Sequence, residues 1–179
     1  MNQSLRGQIN DLADKVREAF NITTPIYDIE EVVRIFGGNI LMENNLENFA
    51  DAKIEKSDNS FIITVSNNQS AERKKFSIAH ELGHLFLHMG YCIDKDMWES
   101  NENNRYFRNL SGEMEYQAHE FAAAFLMPKN EFVKVMQQNL KLIDNEYIYD
   151  MDAVADYFKV SVPAAINRGK WLNMISWNN

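Results

Sequence analysis

Apolar residues recur at helical spacing near the start of the chain. This pattern predicts a helix over residues 5–20, with Ser4 as its N-cap. Its apolar positions are Leu5, Ile9, Leu12, Val16 and Phe20. Asp28 suits the N-cap of a second, shorter helix, which Gly37 and Gly38 would end because glycine readily adopts the left-handed conformation found after many helices.

Short extended segments follow the second predicted helix. They cover residues 39–42, 50–56 and 61–65, and Asp58-Asn59 between the last two suits a hairpin turn. Together they predict a small antiparallel three-stranded sheet. In a simple meander, residues 61–65 would form one of its edge strands.

The second half of the chain has a mostly helical pattern. One helix is predicted over residues 70–89 and another over residues 112–127. Pro128 can begin a third helix, because the first turn of a helix does not need its missing N–H. Two short helices are expected near residues 151–158 and 162–167. A small sheet packed on a mostly helical bundle is an α+β fold.

Composition narrows the class of protein. The chain has 179 residues, of which 45% are hydrophobic and 25% charged, and no repeat or linker divides it, so we expect a single domain over residues 1–179. The net charge of −8 argues against direct binding of nucleic acid, and no apolar run is long enough to span a membrane. The single cysteine, Cys92, excludes an internal disulfide and favours a reducing, cytoplasmic location.

The clearest chemistry lies in the motif His80-Glu81-Leu-Gly-His84. Histidines four residues apart lie on one face of a helix, so both imidazoles can bind the same zinc ion. Glu81 lies roughly 100° around the helix from His80. This position suits contact with a metal-bound water molecule better than direct binding of the metal ion as a ligand equal to the histidines. A zinc ion acidifies water and a carboxylate accepts its proton, so the motif predicts metal-assisted hydrolysis.

A catalytic zinc ion needs a third protein ligand. The predicted helix over residues 112–127 is its expected source, because Glu115 and His119 share one of its faces. Ala118 lies on that face too, and so small a residue would let this helix approach Gly83 closely. We favour Glu115 as the ligand, with His119 as its rival.

Other polar residues near the motif are expected to lie outside the set of metal ligands. His88 follows His84 by one further turn and is expected at the surface or behind the metal ligands. Glu113 and Glu120 are expected to be solvated. The candidates for stabilising an oxyanion are Tyr91, Tyr106 and Tyr116, and the sequence does not choose among them.

Two longer patterns surround the motif. The first is Ser70-x-x-Arg73-x-x-Phe76-x-x-Ala79-His80-Glu81-Leu-Gly-His84, and the second is Glu115-x-x-Ala118-x-x-Phe121-Ala122, continued by Leu126-Met127-Pro128. A late segment reads Val154-Ala-x-x-Phe158-x-Val160-Ser161. The two patterns resemble the ImmA/IrrE family of metallopeptidases, and the late segment is similar to the C-terminal helices of that family. The resemblance covers about residues 25–170.

The resemblance implies a gluzincin-like fold and a zinc site with ligands His80, His84 and Glu115, in which Glu81 is the catalytic base. It also implies a zinc endopeptidase that cleaves a helix-turn-helix transcriptional repressor, often in bacterial mobile-element or stress regulation. The alternative is a metal-bound regulatory module that sequesters such a repressor without cutting it. The chain departs from the family at Gln117, where an acidic residue is usual, and at His119, where asparagine is usual.

The expected domain then has three parts. Residues 1–24 supply the N-terminal helix, residues 25–128 the sheet and the zinc-site helices, and residues 129–179 the C-terminal helices. Either residues 50–56 or residues 61–65 are expected to border the substrate cleft.

Overall fold

The computed structural model describes residues 2–44, 46, 51–100, 112–143 and 145–177. The elements run along the chain in the order α1 (Gln3–Ala19), α2 (Ile29–Ile35), β1 (Asn39–Glu43), β2 (Ala52–Ser57), β3 (Ser60–Ser66), α3 (Ala71–Leu87), α4 (Lys95–Ser100), α5 (Gly112–Leu126), α6 (Lys129–Gln138), β4 (Leu140–Ile143), β5 (Glu146–Tyr149), α7 (Met151–Phe158) and α8 (Val162–Trp171). A small sheet and a larger set of helices confirm the α+β prediction.

Local capping accounts for where most of these helices begin. Asp28 caps α2 by accepting hydrogen bonds from two backbone N–H groups of its first turn, and Ser70 caps α3 with one. Gly37 follows the end of α2 with a φ of +85°, a conformation that glycine adopts at little cost. The cap of α1 is Asn2, so the prediction of Ser4 is wrong by two residues.

The predicted antiparallel sheet is wrong in one of its pairings. The strand order is β1-β3-β2, in which β2 runs antiparallel to β3 but β1 runs parallel to it. The central strand is therefore β3, not the edge strand that a meander would make it. Phe61, Ile63 and Val65 on this central strand are fully buried.

A hairpin of β4 and β5, which the sequence analysis did not predict, lies within the mostly helical second half of the chain. The strands pair antiparallel from Leu140 opposite Tyr149 to Ile143 opposite Glu146, and Asn145 has a φ of +66°. Aromatic and branched residues around asparagine were the sequence signal for this hairpin.

Helix α3 lies at the centre of the fold. Its residues Ile78, Leu82 and Leu85 are fully buried, and the helix packs between α5 and the strands β2 and β3. Helix α1 covers the other side of α5. Helix α3, which carries the histidine motif, thus lies between the sheet and α5. None of the helices in the described ranges has the length and apolarity that crossing a bilayer requires.

Candidate metal centre

Two imidazoles of α3 converge on one point. His80 and His84 lie one turn apart, and their Nε2 atoms are 3.0 Å from each other. Burial, with a smaller contribution from neighbouring histidines, lowers the pKa of His80 to about 3 and that of His84 to about 2. Both rings are therefore neutral near pH 7, which is the form that binds a metal ion.

Helix α5 brings a carboxylate to the same point. Glu115 Oε2 lies 3.2 Å from His80 Nε2, and Glu115 Oε1 lies 3.4 Å from His84 Nε2. Glu115 and His80 are 35 positions apart in the chain, so the packing of α5 on α3 creates the cluster.

The donor atoms fit a zinc ion in both chemistry and spacing. With bonds of about 2.0–2.1 Å, neighbouring ligand atoms around a tetrahedral zinc ion are ~3.3 Å apart. The three separations here are 3.0, 3.2 and 3.4 Å. Two neutral imidazoles and a carboxylate also make up a common ligand set of catalytic zinc sites.

His119 lies beside this cluster as a second candidate ligand. Its ring centroid is 4.4 Å from that of His80, and it stacks on Phe76 at 5.7 Å. Metal-binding atoms of His80, Glu115 and His119 lie within 4.8 Å of one another. The structure thus brings together both of the ligands that the sequence left as rivals, although His119 keeps an exposed edge.

Glu81 lies between α3 and the edge strand β2. It is only 8% exposed, and its carboxylate accepts a hydrogen bond from the backbone N–H of Ile54. Burial, with a smaller contribution from Glu115, raises the pKa of Glu81 to about 8. In the metal-free protein, this residue therefore holds a proton near pH 7.

Hydrogen bonding along the strand pair shows which edge of β2 Glu81 contacts. Ser66 N–H donates to the carbonyl of Asp51, and hydrogen-bonded pairs alternate with non-bonded pairs in an antiparallel ladder. Asp51 and Ser66 form a bonded pair, so Ile54 and Ile63, three residues along, form a non-bonded pair. The N–H of Ile54 therefore points away from β3, as its hydrogen bond to Glu81 requires. The base candidate thus lies at the outer edge of the sheet.

The remaining candidates divide between the site and the rest of the fold. His88 is buried behind His84, at a Nδ1–Nδ1 distance of 2.9 Å. Tyr91 donates its hydroxyl hydrogen to the carbonyl of Phe36, Tyr116 is 68% exposed on α5, and Tyr106 lies outside the described residues.

The expectation that Glu120 is solvated is wrong. It is buried, and its carboxylate accepts hydrogen bonds from Arg6, Asn10 and Arg168. These partners come from α1 and α8, far away in the sequence, so the helix pattern of α5 alone did not reveal them. Glu113 is exposed, as expected.

Comparison with known proteins places this geometry in context. Residues 38–170 match the family model described as peptidase M78, the IrrE N-terminal-like domain. Eleven chains of known structure match, and one of them is a Mycobacterium tuberculosis transcriptional regulator with a TM-score of 0.61 and 20% sequence identity. The alignment covers 91% of this chain but 47% of that one, so the chain spans about half of the regulator's length and shares its fold. A search of curated proteins finds no match.

Proposed function

The chain belongs to the IrrE N-terminal-like family of peptidases, and from this premise we propose that it is a zinc-dependent endopeptidase that cuts a partner protein. The observation that carries the proposal is the convergence of His80 Nε2, His84 Nε2 and the Glu115 carboxylate within 3.4 Å of one another. A buried acid, Glu81, lies next to them on α3. These four residues provide metal ligands and a base in one place.

The proposed reaction divides the work between the ion and the protein. When bound, a zinc ion polarises the scissile carbonyl, lowers the pKa of water and favours the ionised form of a nearby carboxylate. Glu81 accepts the proton of the attacking water on a carboxylate oxygen and later returns it to the nitrogen of the leaving amine. The Ile54 N–H holds this carboxylate at the edge of β2.

His119 has two possible roles at this site. It can provide a further nitrogen ligand, or it can donate a hydrogen bond to the substrate from its exposed edge. We propose His80, His84 and Glu115 as the ligands because their donor atoms have the spacing of a zinc site and because the family resemblance assigns the same three residues. His119 then faces the substrate.

We propose that the partner is a helix-turn-helix transcriptional repressor and that the protein acts in the cytoplasm. The repressor follows from the family resemblance. The cytoplasm follows because such a repressor is bound to DNA there and because one exposed cysteine, Cys92, suits a reducing compartment. The alternative is a module that sequesters the repressor uncut. It has no need for a buried acid at Glu81, so the intact motif favours cleavage.

The test combines metal analysis with a cleavage assay. Purified protein should bind one zinc ion per chain, and His84→Ala should lose most of it. His119→Asn should keep the ion if His119 faces the substrate. Equal zinc content in wild type and His84→Ala would refute the proposed ligand set.

The cleavage arm uses a candidate helix-turn-helix repressor as substrate, with fragments identified by mass spectrometry. Glu81→Gln should bind zinc and repressor but cut about 10²–10⁴-fold more slowly, because an amide cannot accept the proton. Repressor that is bound but left whole by the zinc-loaded wild type would support sequestration instead.

A further inference from the structure

A row of hydrogen-bonding side chains extends from the candidate metal centre into the interior. His84 Nδ1 lies 2.9 Å from His88 Nδ1, and His88 Nε2 lies 3.1 Å from Gln117 Oε1. His84 is buried on α3, His88 is the buried C-cap residue of that helix, and Gln117 reaches His88 from α5. The row therefore starts at a proposed metal ligand and ends on the helix that carries Glu115.

The position of each proton in this row depends on its neighbour. A carbonyl oxygen only accepts hydrogen bonds, so Gln117 Oε1 requires a proton on His88 Nε2. In a neutral His88, Nδ1 is then an acceptor, and His84 Nδ1 must carry the proton between the two rings. His84 Nε2 is left with a lone pair, and this is the atom that faces His80 and Glu115.

The opposite arrangement would disable the ligand. If His88 Nδ1 donated to His84 Nδ1, the single N–H proton of the neutral His84 ring would lie on Nε2, where it blocks metal binding. A neutral His88 would then point a lone pair at Gln117 Oε1, so two acceptors would face each other at 3.1 Å. Gln117 therefore selects between the two tautomers of His84.

We propose that Gln117 and His88 are positioning residues that hold His84 in the tautomer able to bind the metal ion. The inference rests on the metal centre proposed above. The other imidazole ligand, His80, has no such support in the described part of the chain, where its Nδ1 is buried without a hydrogen-bond partner. Of the two imidazole ligands, His84 is therefore the one whose ring is held by residues outside the ligand set.

The experiment compares three proteins that differ at one position. Gln117→Leu removes the acceptor at similar volume, whereas Gln117→Glu keeps one. Zinc affinity is measured by competition with a chelator, and the His84 tautomer in metal-free protein by nitrogen-15 NMR. Loss of an outer hydrogen-bond partner typically weakens metal affinity by about 10–100-fold, which we expect for Gln117→Leu. Gln117→Glu should bind close to wild type.

The NMR signal distinguishes positioning from general damage. Wild type and Gln117→Glu should show His84 protonated at Nδ1, whereas Gln117→Leu should show a mixture of tautomers in a protein with an unchanged melting temperature. If Gln117→Leu fails to fold, Gln117→Met provides the same removal with a more flexible side chain. Wild-type zinc affinity and an unchanged tautomer in the folded acceptor-free variant would overturn the proposal.

A second background tests whether Gln117 acts through His88. In His88→Phe, zinc binding should already be weakened, and adding Gln117→Leu should cause no further loss. An independent further loss would overturn the relay. Absence of zinc binding by the wild type would instead refute the metal centre itself, so the two failures can be told apart.

Discussion

Gly83 on α3 lies directly against the backbone of Ala118 on α5. A Cβ atom added at Gly83 would lie 2.9 Å from both the Cα and the carbonyl oxygen of Ala118. Helices α3 and α5 therefore pack at a separation that leaves no room for a side chain at Gly83. Glu115 lies about one turn before Ala118 on α5, so this contact sets how near its carboxylate comes to the two imidazoles.

Gly83→Ala should destabilise the protein and weaken zinc binding. The added methyl group meets backbone, which cannot rotate away, and overpacking typically costs about 1–3 kcal/mol. This outweighs the gain of about 1 kcal/mol that alanine brings to a helix interior. Urea unfolding and zinc competition measure both effects.

Gly7→Ala is the matched control for that variant. Gly7 is also inside a helix, α1, but an added Cβ there meets nothing within 4 Å. It should stabilise the protein by about 1 kcal/mol through helix propensity alone. Gains of the same size from both substitutions would show that α5 moves aside freely.

Glu120→Gln should strongly destabilise the fold without touching the metal centre. Arg168 is only 1% exposed, and the Glu120 carboxylate balances its charge, with Glu120 Oε1 3.2 Å from a guanidinium nitrogen. Removing one partner of a buried ion pair lowers the free energy of unfolding by about 3–5 kcal/mol. Glu113→Gln, at the exposed start of the same helix, should cost less than about 1 kcal/mol. Similar free energies of unfolding for the two variants would mean that Arg168 does not need its partner.

Glu81→Gln should make the metal-free protein more stable, increasingly so at higher pH. The pKa of Glu81 rises from 4.5 to about 8 on folding, so between these values the folded state binds more protons than the unfolded state. Wild-type stability therefore falls as pH rises through this window, by up to about 1.4 kcal/mol per pH unit from this residue.

The measurement is urea unfolding of both proteins with a chelator at pH 4 and pH 9. The two should be nearly equal at pH 4 and differ by several kcal/mol at pH 9, while other titrating groups cancel in the comparison. A constant difference across this range would argue that the folded protein ionises Glu81 at no cost.

A substrate peptide should bind as an added strand along the outer edge of β2. The main-chain N–H groups of β2 alternate in direction, so the N–H of Lys56, like that of Ile54, points away from β3 and can pair with an added strand. Lys56→Pro should slow cleavage roughly two- to tenfold, the worth of one main-chain hydrogen bond. Lys56→Ala keeps the amide and should not reproduce this effect.

Strand addition would be the wrong mode if zinc-loaded Lys56→Pro and Ala52→Pro both cut at wild-type rate. Proline in β3 is not a useful probe, because β3 is paired on both sides and the substitution would disrupt the sheet itself.

Local order along the chain could be predicted from the sequence. The cap at Asp28 and the pairing of His80 with His84 depend on residues within about one turn of one another. Such contacts depend on spacing alone, so they can be predicted without the rest of the fold. The choice between Glu115 and His119 could only be narrowed, since both share the face that meets α3.

The tertiary structure decided whatever depends on distant partners. The parallel pairing of β1, the burial of Glu120 beside residues 114 and 48 positions away, and the meeting of His88 with Gln117 have no local signal. Each follows from how whole elements pack, because the free energy of burying a strand or an ion pair depends on what covers it. The sequence by itself determined which residues can bind a metal ion, and the packing of α5 on α3 decided which of them meet.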